Sequence, residues 1–303
     1  MKLPPEIESA VASLMVDQGG VGSIELMAVP RLVADHVDKA IVFSRDARPA
    51  FLVMMAPAEF PDCVRDAFAR AAAAREALGG AAAIAAAVEV ALVQGVAAGR
   101  SFVVVPYLSP VARGRFRGRW DRLRLRGPAF EWLREVTRRT VAVPPAEALD
   151  AAFLQPLHGL SRMQAAGDRV RSAARDSLAA LEGGRWQPRW VLAHNDFWLG
   201  NFLFRRPETV GHPGFAVIDW GASRVRGYPA YDFASFASSF KPSEPALRRR
   251  LGEYCEALGC EPAQARHHLV AALAGLSTAL GHWPVERFAA AADRYLELME
   301  RAA

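Results

Sequence analysis

The distribution of strand-like sequence is the strongest constraint on how this chain folds. Five short runs rich in Val, Ile, Met and Phe all fall before Pro106: Ile24–Val29, Ala40–Ser44, Phe51–Met55, Ala87–Gln94 and Ser101–Val105. β-branched and aromatic runs bounded by polar or Pro breaks read as strands. The segment from Arg45 to Pro49 reads as a hairpin turn. A short amphipathic helix is expected over 6–16 and an Ala-rich one over 62–78. After Tyr107 the apolar period becomes helical, over 128–141, 147–165, 168–183, 230–240, 243–258, 262–281 and 284–302. Only a strand at Trp190–Ala193 and a hairpin of Phe202–Phe204 with Phe215–Ile218 interrupt it. The expectation is an α+β chain in two lobes. Residues 1–107 would form a small antiparallel sheet with a helix, and residues 108–303 a larger, mainly helical lobe. A chain of 303 residues is long enough for two such units.

Composition narrows the setting. Cys63, Cys255 and Cys260 form no disulfide framework, which fits a reduced compartment. The first residues lack the apolar stretch of a signal peptide. The most apolar segment, 77–98, is mostly Ala and Gly and carries Glu89 and Gln94, short of a membrane span. A cytoplasmic protein with no membrane association is expected. The net charge is +5, and of 37 basic residues only Lys2, Lys39 and Lys241 are lysine. Seven Arg crowd the stretch Arg113–Arg126. Runs of like charge are usually solvated, so this stretch reads as a solvated connector and a nucleic-acid partner is disfavoured.

Chemistry concentrates in the segment Val191–Phe204, which contains His194-Asn195-Asp196-Phe197-Trp198-Leu199-Gly200-Asn201, and in Phe215–Gly221, where a hydrophobic strand ends at Asp219. Phosphoryl transfer is mostly positioning and charge neutralisation. It needs one carboxylate beside the acceptor hydroxyl, and an Asn and a second carboxylate holding Mg²⁺ against the nucleotide phosphates. A loop with Asp196 and Asn201, followed by a hairpin ending in Asp219, has that composition and spacing. Taken singly, Asp196 or Asn201 could cap a turn; the reading rests on their combination.

These residues resemble the aminoglycoside phosphotransferase and choline kinase-like branch of the protein-kinase-like superfamily. The segment Gly227-Tyr-Pro-Ala-Tyr-Asp232-Phe is similar to a further motif of that family. The resemblance is strong over 191–236 and weak before residue 100. It implies a two-lobed protein-kinase-like fold. It also implies Asp196 as catalytic base, Asn201 and Asp219 as Mg²⁺ ligands, and His194 and Asp232 as structural support of the catalytic loop. Val105, Pro106 and Tyr107 would be the hinge that holds the adenine of ATP, or the base of GTP, through backbone groups.

The resemblance breaks in the first lobe. Met54 falls where the family has a lysine on the third strand, and no lysine lies between Lys39 and Lys241. Ala71 occupies the position of its partner Glu, with Glu76 a substitute more than one turn later. The loop Arg31–Asp38 has no Gly, so its backbone is poorly suited to approach phosphates. Two readings stay open. In one the protein is a small-molecule kinase in which Lys39 or an Arg (45, 48, 65 or 70) supplies the missing charge. In the other it is a pseudokinase or binding protein that has lost its nucleotide.

The acceptor is expected to be a small metabolite. Residues 244–303 carry 8 acidic residues and 7 Arg, without the acidic excess that a polycation requires. A neutral or anionic compound, such as a sugar, fits that balance better, with an amino alcohol as a further candidate. Trp198, Trp220 and Trp283 could stack on a quaternary ammonium, but Trp198 and Trp220 are expected to pack within the motif. His267 and His268 point about 100° apart on a helix and are not expected to share a metal.

Overall fold

The computed structural model describes residues 3–16, 19–27, 37–112, 114–205, 214–240, 242–281 and 283–302. Most of the Gly-free loop, residues 31–36, lies outside the described residues, as do Ala28 and Val29 of the first expected strand. The chain opens with α1 (Pro5–Met15), β1 (Val21–Leu26), β2 (Asp38–Ser44), β3 (Pro49–Met55), α2 (Cys63–Ala77) and a single turn, α3 (Ala82–Ala85). β4 (Val93–Ala97), β5 (Arg100–Pro106) and the two-residue β6 (Ser109–Pro110) follow. The helical part contains α4 (Arg115–Thr140), α5 (Gln155–Arg162), α6 (Asp168–Glu182), α7 (Tyr231–Ser238), α8 (Glu244–Leu258), α9 (Pro262–Ser277) and α10 (Val285–Ala302). Between α6 and α7 lie β7 (Val191–Ala193), β8 (Phe202–Phe204), β9 (Phe215–Val217) and β10 (Arg224–Gly227).

The chain divides into two compact units. The first takes in residues 1–76, 85–110 and 203–222, and the second 77–84, 111–202 and 223–303. The chain therefore passes between units several times, where the sequence reading drew one boundary after Tyr107.

In the first unit, an antiparallel sheet has the order β1-β2-β3-β5-β4. Alternation along the strands separates its faces. Phe51, Val53 and Met55 of β3 join Val42, Phe102 and Val104 under Ile7, Val11 and Met15 of α1. Leu52 and Met54 point the other way, toward Val103, Val105 and the α2 residues Val64 and Phe68. β5 is buried on both faces, which explains its unbroken apolar run.

The fourth strand is displaced from the expected Ala87–Gln94 to Val93–Ala97. Its earlier residues instead run beside β9. Val217 N–H donates to the Ala87 carbonyl at 2.7 Å and Glu89 N–H to the Val217 carbonyl at 3.3 Å. Gly95 is paired with Phe102, and a Cβ there would come within 2.9 Å of the Phe102 ring. Only glycine admits that approach.

The second unit packs its helices around an aromatic centre. Phe197 lies 5.1 Å from Phe236, 5.0 Å from Phe202 and 5.6 Å from Trp132, ring to ring. β7 and β10 form a two-stranded ladder in which Gly227 faces Val191. A Cβ on Gly227 would meet the Ala193 Cβ at 2.5 Å, which accounts for the glycine of that motif. α4 corrects the expectation of a connector, because the Arg stretch is helical from Arg115 onward. Arg and Leu are good helix formers, and Pro128 removes one backbone bond without ending the helix. Its arginines are largely solvated, as expected. Among the described residues no helix is long and apolar enough to cross a membrane.

Candidate active site

β7 delivers the chain into the loop at His194. Asp232, at the start of α7, accepts the backbone N–H of His194 at 2.6 Å and of Asn195 at 2.8 Å. Asn195 sits in the left-handed region, φ 62°, a conformation that Asn tolerates better than most residues. Two adjacent N–H donors on one carboxylate fix the direction in which the loop leaves the strand. Asp232 is buried, and that burial pushes its carboxyl up to about 7 against the pull of the two donors. The Asp196 N–H lies 3.3 Å from His194 Nδ1. His194 is itself 2% exposed, so it acts from inside the loop.

Asn201 closes the loop. Its Nδ2 donates to the Asp196 carbonyl at 2.8 Å and to the Asp196 carboxylate at 2.7 Å. Asp196 is half-buried. With Nδ2 committed to Asp196, Asn201 Oδ1 is left as an oxygen acceptor. Between them Phe197 is fully buried and anchors the loop, while Trp198 is 47% exposed. The structure thus brings Asp196, Asn201, His194 and Asp232 together within the second unit.

Asp219 belongs to the first unit. It follows β9 with φ 66°, a strained value for a side chain with a Cβ. The turn is pinned on both sides: Trp220 Nε1 donates to the Val217 carbonyl at 2.9 Å, and Arg70 donates to the Gly221 carbonyl. Val105 lies buried in β5, and the Tyr107 N–H is already bonded to the Ala50 carbonyl at 2.9 Å. Pro106 has no N–H to offer.

Among the described residues no group of three or more His, Cys, Asp or Glu could hold a metal ion. One carboxylate and one amide oxygen are a sparse set. That suits Mg²⁺, which keeps several waters and takes phosphate oxygens as further ligands. Asp219 and Asn201 carry such donors, each in its own unit.

A model of the APH phosphotransferase enzyme family matches residues 42–269. The chain belongs to that family. Similar solved structures include an aminoglycoside phosphotransferase, APH(3'')-Id from Streptomyces rimosus ATCC10970, in complex with ADP and streptomycin. It is 16% identical with a TM-score of 0.45, covering 89% of this chain and 98% of that one. A choline/ethanolamine kinase family protein from Mesorhizobium loti is 17% identical with a TM-score of 0.46, covering 97% and 94%. An ethanolamine kinase from Plasmodium vivax is 12% identical with a TM-score of 0.46, covering 89% and 80%. No curated protein matches the chain.

Within this family member, Met54 packs in the apolar cluster on the α2 side of the sheet. Ala71 is buried in α2, and Glu76 is exposed, so the substitute acid expected there faces solvent. The acid that sequence reasoning missed is Glu89. It is 7% exposed, and burial pushes its carboxyl up to about 7. The Lys39 ammonium and the Arg205 guanidinium pull it down, and the Asp219 carboxylate pushes it up. The only hint in the sequence was an acid interrupting an Ala-Val run. A second feature, in the second unit, is a cavity of about 430 Å³ lined by Arg115, Arg119, Arg122 and Arg126 of α4, with Ser239 and Phe240. Spacings of 4, 3 and 4 put these four arginines on one helical face. Ser239 Oγ accepts the Leu199 N–H at 3.5 Å, so the cavity adjoins the Asp196–Asn201 loop.

Proposed function

We propose that the protein transfers the γ-phosphoryl group of ATP or GTP to a hydroxyl of a small metabolite. The observation that carries this reading is the organised loop, in which Asp232 fixes the backbone at His194 and Asn195 and Asn201 orients the Asp196 carboxylate. The acceptor oxygen forms a bond to the γ-phosphorus, the bond from that phosphorus to the bridging oxygen breaks, and the nucleoside diphosphate departs. Asp196 orients the acceptor hydroxyl and takes its proton. Asn201 and Asp219 carry the oxygens that would hold Mg²⁺, which would supply charge neutralisation on the phosphates. Val105, Pro106 and Tyr107 form the wall for the base.

The acceptor side favours a compound carrying negative charge. The arginine face of α4 borders the loop, and its members make no ion pair among the described residues that would occupy them. A hydroxylated metabolite with a carboxylate or phosphate, such as an acidic sugar derivative, suits that wall.

Met54 supports a second reading, a protein that keeps the loop but no longer binds nucleotide. Thermal unfolding separates the two. The phosphotransferase reading expects stabilisation by Mg²⁺ with ATP or GTP, of about 2.7 kcal/mol at a hundredfold excess over Kd. It expects the Mg²⁺-dependent part to vanish in Asp219→Ala. No shift at millimolar Mg²⁺ and nucleotide would favour the second reading.

A further inference from the structure

The loss of the third-strand lysine leaves a phosphotransferase without its usual cation for the nucleotide phosphates. The first unit carries a replacement one strand away. Lys39 of β2 is the direct cross-strand partner of Met54 in β3. Residues directly opposite each other in an antiparallel pair present their side chains on the same face. Met54 packs with Leu52, Val103 and Val105 on the α2 side of the sheet, so the Lys39 side chain leaves β2 on that side as well. β2 is an inner strand, between β1 and β3. A half-buried lysine there is not the charged edge residue that sheets use against aggregation.

The surroundings of Lys39 are those of a working cation. Glu89 is held by its backbone to β9 at Val217, two residues before Asp219. Ala91, two residues further along, packs in the same cluster as Met54. The segment bearing Glu89 therefore runs from the Asp219 turn to the face on which Lys39 emerges. Of the charges acting on the buried Glu89 carboxylate, Lys39 is the strongest. Among the described residues Lys39 makes no direct ion pair, so its three donors remain open to a phosphate. The other candidates are occupied or distant in kind. Arg45 and Arg48 are exposed at the β2–β3 turn. Arg65 pairs with Asp62 at 2.9 Å, and Arg70 holds the Gly221 carbonyl. Composition points the same way, because 34 of 37 basic residues are Arg and this position is Lys. A compact ammonium on a flexible stem reaches a phosphate differently from a planar guanidinium.

We propose that Lys39 is the phosphate-binding cation of this chain, reaching from β2 the place that a lysine at position 54 would reach from β3, with the buried Glu89 as the acid in its field. The proposal rests on the phosphotransferase reading and assigns the residues that make it workable. It also fits Ala71 in α2: the buried acid near the cation lies on the segment before β4 instead.

The test is calorimetric titration of the purified full chain with Mg·ATP and, separately, with adenosine, which has the base and no phosphate. Lys39→Met is expected to weaken Mg·ATP binding by about tenfold or more, the value of a lost charge-assisted hydrogen bond. Adenosine affinity should not change. The double variant K39M/M54K moves the ammonium to the third strand and is expected to recover Mg·ATP binding. Thermal unfolding checks that each variant folds, and Lys39→Gln replaces K39M if the latter does not. Unchanged Mg·ATP affinity in K39M, or an equal loss for adenosine, overturns the proposal. A wild-type chain that binds neither ligand overturns the phosphotransferase reading itself, which is a different result.

Discussion

Asn201 donates its side-chain amide to both the carboxylate and the backbone carbonyl of Asp196, at 2.7 and 2.8 Å. The same residue thus sets the orientation of the proposed base and, through its remaining oxygen, would offer a ligand to the proposed metal. Asn201→Ala removes both. It is expected to lower transfer by at least about a hundredfold, the scale of a positioned general base. The cost in stability should be only about 1 kcal/mol, since the loop backbone is held elsewhere. Steady-state rates and urea unfolding of the same preparation check the two numbers together.

Asp232 has the opposite profile. Its carboxylate satisfies two buried N–H groups, so Asp232→Ala leaves both without a partner. The expected loss is about 1–3 kcal/mol for each group, read as a lower urea midpoint. Transfer should fall as well, because the loop is no longer fixed at His194.

The histidine pair of α9 gives a pH signature. Trp186 Nε1 donates to His268 Nε2 at 3.3 Å, and His267 Nδ1 lies 2.9 Å from Ser177 Oγ. Burial pushes His268 down to about 3 from an ordinary 6.5. The unfolded chain therefore takes up a proton that the folded chain refuses. The stability this group contributes is present above pH 6.5 and is lost as the pH falls toward 3. Asp232, raised to about 7 from 3.8, acts in the other direction, contributing most below pH 3.8 and least above 7. Comparison with His268→Gln isolates the histidine. The variant should lose less stability than wild type between pH 6.5 and pH 4, measured as urea midpoints.

The arginine face of α4 predicts acceptor preference. In a panel of hydroxylated metabolites, those carrying a carboxylate or phosphate should be used ahead of neutral analogues. Replacing Arg119 and Arg122 together by Ser should raise KM for the charged acceptors by about tenfold or more, as a lost ionic hydrogen bond would. KM for the nucleotide should stay unchanged.

How far the sequence could be read depended on whether the signal was local. The contact between Asp196 and Asn201 follows a short sequence spacing, five residues within one loop. Strand and helix types followed from apolar period. The fourth strand was displaced because Ala87–Gln94 is apolar but for Glu89 and Gln94, a pattern that sets no register, and the observed pairing puts Gly95 opposite Phe102. α4 was read too short because charge run and helix have the same residues, and only the i, i+4, i+7, i+11 spacing of its arginines distinguishes them. The surroundings of Glu89 could not be read from its neighbours in sequence. They depend on pairing between β2 and β3 and on a backbone bridge to β9, contacts that join residues far apart in the chain.

The most direct measurement of the central claim is transfer of label from γ-labelled ATP, with Mg²⁺, to a panel of hydroxylated metabolites by wild type and Asp196→Asn. The account predicts a labelled acceptor product whose rate of formation falls by about 10²–10⁴ in the variant. No labelled product from wild type, or equal product from both proteins, would contradict it.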